Sequence, residues 1–344
     1  STDPTVSGAD TITVTEGYNV LVGGSGADTV IVQAGSGGAA TAIVLGDNGS
    51  MLLSAAGKLL SIQSLVGDTN GTADTISLTN GSNAVIGGAG ADQITAGGGT
   101  NTVLGDDGEA FFFNDGTVRL IQSINLGTGA NDVILLQDGT NTVIAGAGDD
   151  QLTMGGGTNY VLGDEGKLEV LTDGGGVPTG TTEVTSLNAS VGGVDNIQIG
   201  SGFNVVIGGA AGDTIAASGT ATGARGFVLG DNGKLVFTNS GTLLSAESTD
   251  FASGAADTIT LSNGTNTVIG GAGADEITAG GGTNTVLGDD GEAFFFANGS
   301  VRLIRSINLG TGSNDVISLQ DGTNTVIAGA GADQLTLGGG TNYV

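Results

Sequence analysis

The sequence predicts an all-β chain, a right-handed parallel β-solenoid in which narrow turns alternate with wider, hairpin-like turns. Three observations predict it. Glycines recur nine residues apart, as at Gly81, Gly90, Gly99 and Gly108. The first three are followed two positions later by Asn83, Asp92 or Asn101, and two further on by Val85, Ile94 or Val103. A longer repeat overlies the short one, because residues 73–161 and 256–344 are nearly the same sequence displaced by 183 positions. Glycine makes up 69 of 344 residues without the every-third spacing of collagen, which suits a turn every nine residues. Strict repetition at such a period marks a solenoid.

The nonapeptide reads as a strand of two or three residues, a glycine turn and a return strand. Above it, Val-Leu-Gly-Asp-(Asn/Asp/Glu)-Gly recurs with its aspartate at Asp47, Asp106, Asp164, Asp231 and Asp289, giving units of 58 or 59 residues and one of 67. Residues 1–344 form one continuous array with units at approximately 9–66, 73–126, 131–190, 194–252, 256–309 and 314–344, and the pattern predicts a piece of a longer tandem array. Each unit holds two narrow turns and one wide one. The wide turn runs through Glu109–Phe113, bends at Asn114-Asp115-Gly116 and returns over Thr117–Leu126, a hairpin signal because glycine accepts positive φ. A broad rung and a protruding flap both satisfy it. Counting every acidic turn gives about seventeen turns and a rod on the order of 80 Å.

Gly87-Gly88-Ala89-Gly90-Ala91-Asp92-Gln93-Ile94-Thr95 has the form Gly-Gly-x-Gly-x-Asp-x-aliphatic-x. It recurs at Gly23–Val30 and Gly270–Ile277, with looser copies ending at Asp150, Asp213 and Asp333. The pattern resembles the RTX, or haemolysin-type, calcium-binding nonapeptide. The resemblance implies a β-roll with calcium between turns on successive coils. The matching carboxylates are Asp10, Asp28, Asp47, Asp74, Asp92, Asp106, Asp107, Asp132, Asp150, Asp164, Asp195, Asp213, Asp231, Asp257, Asp275, Asp289, Asp290, Asp315 and Asp333.

Since nonapeptides alternate direction, aspartate turns fall on one edge. The opposite edge carries Asn83, Asn101, Asn141, Asn159, Asn266, Asn284, Asn324 and Asn342, which predicts an asparagine ladder on a neutral edge. Stacked turns bring carboxylates to about 4.8 Å, where they repel unless protonated or bridged by a cation. Calcium accepts many oxygens in tolerant geometry, and a glycine turn supplies carbonyls beside the carboxylate. The alternative is that aspartate merely caps turns through side-chain hydrogen bonds. Sixteen gaps between seventeen acidic turns would hold about that many ions at full occupancy.

Acidic residues outnumber basic ones 35 to 7 for a net charge of −28, which argues against a nucleic-acid partner. With no run of 18 apolar residues, membrane insertion through a helix is not expected. Without histidine or cysteine, no His-based triad or thiol nucleophile can be assembled, and the acids form a uniform ladder in which no carboxylate is set apart from its partner. The chain is therefore not expected to be an enzyme. Phe111-Phe112-Phe113 and Phe294-Phe295-Phe296 hold six of the ten phenylalanines; period-two geometry turns the middle ring opposite to its neighbours, toward the hairpin's other strand or toward a neighbouring rod. Gly127–Asp132, Gly310–Asp315 and a rank of threonines (Thr100, Thr140, Thr158, Thr265, Thr283, Thr323, Thr341) are similar to turns of ice-binding RTX domains. By resemblance to giant secreted RTX adhesins and fibrils, the expectation is a calcium-stabilised extracellular rod on a bacterial surface. The alternatives are a folding module attached to a secreted enzyme and an ice- or surface-binding domain.

Overall fold

The computed structural model describes residues 8–15, 17–33, 40–65, 71–173, 175–219, 223–308 and 312–344. These residues form strands and no helix, arranged as three stacked sheets. Four-residue strands such as Thr75–Leu78 and Gln93–Ala96 alternate exposed polar side chains with buried aliphatic ones and stack into a twelve-stranded parallel sheet. Six-residue strands such as Gly81–Ile86 and Gly99–Leu104 stack into a second parallel sheet of twelve. Chemically matching positions sit side by side, with Gly99 beside Gly139, Asn101 beside Asn141 and Val103 beside Val143. The chain is a parallel β-solenoid of the β-roll kind.

The third sheet is antiparallel and built from five hairpins: Gly49–Leu53 with Leu59–Ser64, Gly108–Phe112 with Val118–Ser123, Gly166–Thr172 with Pro178–Ser186, Gly233–Thr238 with Leu243–Ser248, and Gly291–Phe295 with Val301–Ser306. Successive hairpins pair with each other, as Glu109 does with Gln63 and Gln122 with Lys167. The wide turn is thus a hairpin, and the hairpins close side by side over the second sheet.

That cover makes the second sheet an interior layer with two cores. Val103, Val143 and Val161 face Ile94, Ile134 and Leu152 of the first sheet. The next residues, Leu104, Ile144 and Leu162, face Ala110, Ile121 and Leu168 of the hairpins. Most second-sheet strands therefore carry an aliphatic pair at or near their ends, because one side chain goes each way. Each fully buried aliphatic contributes roughly 1.5–3 kcal/mol, so the hairpins supply a second core that the nonapeptides alone lack.

Two expectations are corrected. Coil strands have four to eight residues, most often four or six, rather than two or three, and among the described residues the sheets contain twelve coils rather than about seventeen turns. The physical reason is that Gly-Asp-x-Gly does not open a coil of its own. It leads into a hairpin that lies beside the coils, so the rise at ~4.8 Å per coil is ~50 Å. The Phe runs obey the period-two rule: Phe112 and Phe295 pack on the second core, while Phe111 turns outward under the Arg119 guanidinium, 5.1 Å from the ring centre. In the hairpin of 233–248, Phe237 instead fills the interior with Tyr160, Phe203 and Phe227.

Candidate metal centre

The narrow turn Gly87–Asp92 shows how the acidic edge is made. Gly88 and Gly90 take φ of 112° and 109°, conformations that side chains rarely adopt. Gly87 is glycine for a different reason: a Cβ there would lie 2.2 Å from Asp92 Oδ2 and 2.4 Å from the Gly105 carbonyl oxygen. The carboxylate is turned into the turn, and Asp92 is only 1% exposed.

Aspartates of successive coils are joined by one repeated bond. The Asp74 N–H donates to Asp92 Oδ1 at 2.7 Å, Asp92 N–H to Asp132 Oδ1 at 2.7 Å, and Asp132 N–H to Asp150 Oδ1 at 2.6 Å. Eleven such bonds link twelve aspartates, running from Asp10 and Asp28 through Asp195, Asp213, Asp257 and Asp275 to Asp315 and Asp333. Side-chain capping is therefore present, but it uses one oxygen of each carboxylate from Asp28 to Asp333. Among the described residues, Oδ2 of Asp28, Asp74, Asp92, Asp132, Asp150, Asp195, Asp213, Asp257, Asp275 and Asp315 is buried with no hydrogen-bond partner.

An unsatisfied buried carboxylate oxygen is costly. Burial pushes Asp92, Asp150 and Asp213 up to about 10, with neighbouring ladder carboxylates adding to the shift and the accepted N–H opposing it. Burial likewise raises Asp257 to about 9, Asp132 and Asp275 to about 8, and Asp74, Asp195 and Asp315 to about 7. A cation beside the orphaned oxygens would relieve the same penalty. Backbone carbonyls lie close at hand, since Gly46 O and Asp28 Oδ2 meet beside Gly23, and Gly230 O and Asp213 Oδ2 beside Gly208. Among the described residues no three acidic side chains converge, so the donor set is ladder carboxylates with backbone carbonyls. All are hard oxygens of the kind calcium takes. The residues fit the ion.

A family profile for the RTX calcium-binding nonapeptide repeat matches residues 5–38, 68–109, 126–166, 252–293 and 309–344, more than half of the chain. The chain belongs to the RTX calcium-binding nonapeptide-repeat family. No curated protein and no solved structure matched it.

Of the nineteen RTX aspartates expected to bind metal, the twelve just named form the ladder. Asp47, Asp106, Asp164, Asp231 and Asp289 do not join it; their carboxylates accept backbone N–H groups of the next coil. Asp107 and Asp290 lie at the hairpin base, where Asn125 and Asn308 donate to them at 3.2 Å. The single acidic column expected from the turns is thus three distinct sets.

The opposite edge carries the expected asparagine ladder. Each Nδ2 donates to Oδ1 of the next asparagine at 2.8–2.9 Å, from Asn83 through Asn101, Asn141 and Asn159 to Asn204, and again from Asn266 through Asn284 and Asn324 to Asn342. Ala42 and Gly226 hold the ladder position in two coils and interrupt it. This edge is not neutral, which corrects the expectation. Asp138 and Asp321 stand on it and accept the N–H of Gly156 and Gly339 one coil on. The overlooked signal was Gln-Asp-Gly in place of the Asn-Gly at Asn80 and Asn263. The threonine rank lies on the hairpin side of the second sheet; Thr100 and Thr102 line a groove with Phe112 and Asp115 of a hairpin, and Phe203 and Arg225 break the row. Gly310 and Thr311 lie outside the described residues. Among the described residues no helix is long and apolar enough to cross a membrane.

Proposed function

We propose that this calcium-binding β-roll is a non-enzymatic rod segment of a secreted bacterial surface protein, stiffened by calcium along its acidic edge. The carrying observation is the row of ten buried carboxylate oxygens that no donor among the described residues reaches. Bound calcium supplies positive charge to those oxygens. The chain does the rest: glycine turns bring each carboxylate against the backbone of the next coil, the ladder bonds fix its rotamer, and the two cores hold the coils in register. Where calcium is scarce, the acids repel and the coil is destabilised; outside the cell it closes, because binding free energy is folding free energy. RTX proteins are typically secreted, which agrees with this switch. Lateral contact between rods would run through the half-buried Phe111 and Phe113 and their counterparts Phe294 and Phe296, since Phe112 and Phe295 face inward.

The test is chelation. Stripping calcium is expected to abolish the β signal in circular dichroism or lower the melting temperature by tens of degrees, and adding it back to restore both. A melting curve indifferent to chelator overturns the proposal.

A further inference from the structure

We propose that Asp47, Asp106, Asp164, Asp231 and Asp289 are positioning residues, not calcium ligands. They clasp the glycine turns that the hairpins split, so calcium capacity is set by the twelve-member ladder alone. The inference rests on the calcium reading and divides its acids by role.

Turns on the acidic edge are of two alternating kinds. Plain turns, such as Gly87–Asp92, run from strand to strand without interruption. Split turns have a hairpin inserted in them: the chain leaves at Gly105-Asp106, makes the hairpin 108–123, and returns at Gly129-Ala130-Asn131-Asp132. Asp106 occupies the place that Gly88 holds in a plain turn, since both N–H groups donate to the carbonyl of the next coil, Gly88 to Gly105 and Asp106 to Ala145. A split turn has two ends that no local peptide connects, and something must join them.

The aspartate is the join. Asp106 Oδ1 accepts the Ala130 N–H of the returning strand at 3.2 Å, and its Oδ2 accepts the Ala147 N–H of the next coil at 2.7 Å. Asp164 does the same with Gly193 at 3.0 Å and Ala210 at 2.5 Å, Asp231 with Ala255 at 3.1 Å and Ala272 at 2.5 Å, and Asp289 with Ser313 at 3.1 Å and Ala330 at 2.5 Å. Asp47 accepts the Ala89 N–H at 2.8 Å through Oδ2, and it joins the other four by its place in the same Val-Leu-Gly-Asp-x-Gly motif and between Gly71 and Gly88, whose Cβ atoms would lie 2.0 and 2.6 Å from that oxygen. Each carboxylate is wedged between two glycines: a Cβ on Gly129 or Gly146 would lie 1.8 or 2.2 Å from Asp106 Oδ2. The contrast in oxygen accounting decides the roles. Ladder aspartates leave one oxygen facing no donor, whereas Asp106, Asp164, Asp231 and Asp289 direct both oxygens at N–H groups. A ligand oxygen must face the ion, and these face backbone donors. The intervals open to calcium fall from the sixteen expected of all acidic turns to the eleven between ladder members.

The test compares Asp106→Asn with Asp92→Asn in the whole chain, counting bound calcium by equilibrium dialysis and following amide hydrogen exchange over residues 109–123. Asp106→Asn should keep the wild-type calcium count while its hairpin amides exchange at least tenfold faster. Asp92→Asn should lose one ion or more. Gly129→Ala, which displaces the clasp but removes no carboxylate, should repeat the Asp106→Asn pattern and replaces it if that variant does not fold. Loss of an ion on Asp106→Asn, with Gly129→Ala keeping the full count, overturns the assignment, as does unchanged hairpin exchange in both. If the wild-type chain binds no calcium, the calcium reading fails, and hairpin exchange alone then decides the clasp.

Discussion

With calcium removed, protonation can still neutralise the buried ladder carboxylates, so acid should refold a chelated chain. Burial holds twelve carboxyls, nine on the ladder plus Asp106, Asp164 and Asp231, at about 7 or higher in the folded state. In the unfolded chain they return to roughly 3.9. A folded pKa above the unfolded one means that the native state holds more protons. The stabilisation is therefore full below about pH 4 and is lost as pH rises through about 7 to 10. Each such group changes stability by about 1.4 kcal/mol per pH unit inside that window. If only a third of the twelve titrate this way, the slope is roughly 5 kcal/mol per unit, comparable to the whole stability of many domains. The expected result is a steep transition in far-ultraviolet circular dichroism, folded near pH 5 and unfolded by pH 8 in chelator, and folded at both in millimolar calcium. A chelated chain most stable at pH 8 that unfolds on acidification would refute the reasoning, because that is how carboxylates with lowered pKa behave.

On the other edge, Asn141→Ala removes the bonds to Asn159 at 2.8 Å and Gln137 O at 3.1 Å and the one accepted from Asn101 at 2.8 Å. It also strands Asn159 Oδ1, so the loss should be about 3–5 kcal/mol in thermal or urea unfolding; a change under ~1 kcal/mol would show that the ladder carries no stability. Ala42→Asn tests the converse. Among the described residues, Asn19 Nδ2 and Asn83 Oδ1 are buried without partners on either side of Ala42, and supplying the missing amide should add about 1 kcal/mol. A lowered melting temperature would count against it.

Much of this was legible in the sequence because repetition forces like residues into register. The nine-residue glycine period and the alternating aspartate and asparagine turns gave the solenoid and the two ladders, and the RTX pattern at Gly87–Thr95 pointed to calcium. What stayed hidden depends on where a side chain turns. Asp92 and Asp106 read alike as acids in glycine turns, yet one faces along the ladder and the other clasps a hairpin. The coil count failed for the same cause: Gly105-Asp106 begins a turn that finishes at Asp132, and a period-nine reading has no means of seeing that a hairpin intervenes. The second core was implicit in pairs such as Val103-Leu104, but its other half comes from hairpins that meet only in space.

Splitting the turn also separates what must stay constant from what is free to vary. The coils are locked to one another by backbone and ladder, whereas each hairpin ends in solvent at a tip such as Asn114-Asp115-Gly116, all exposed. Exposed tips tolerate insertion, and with two coils between hairpins they recur at a pitch of ~10 Å. The solenoid thus offers a ruled series of mounting points for grafted peptides, each changeable without disturbing the spacing of the rest.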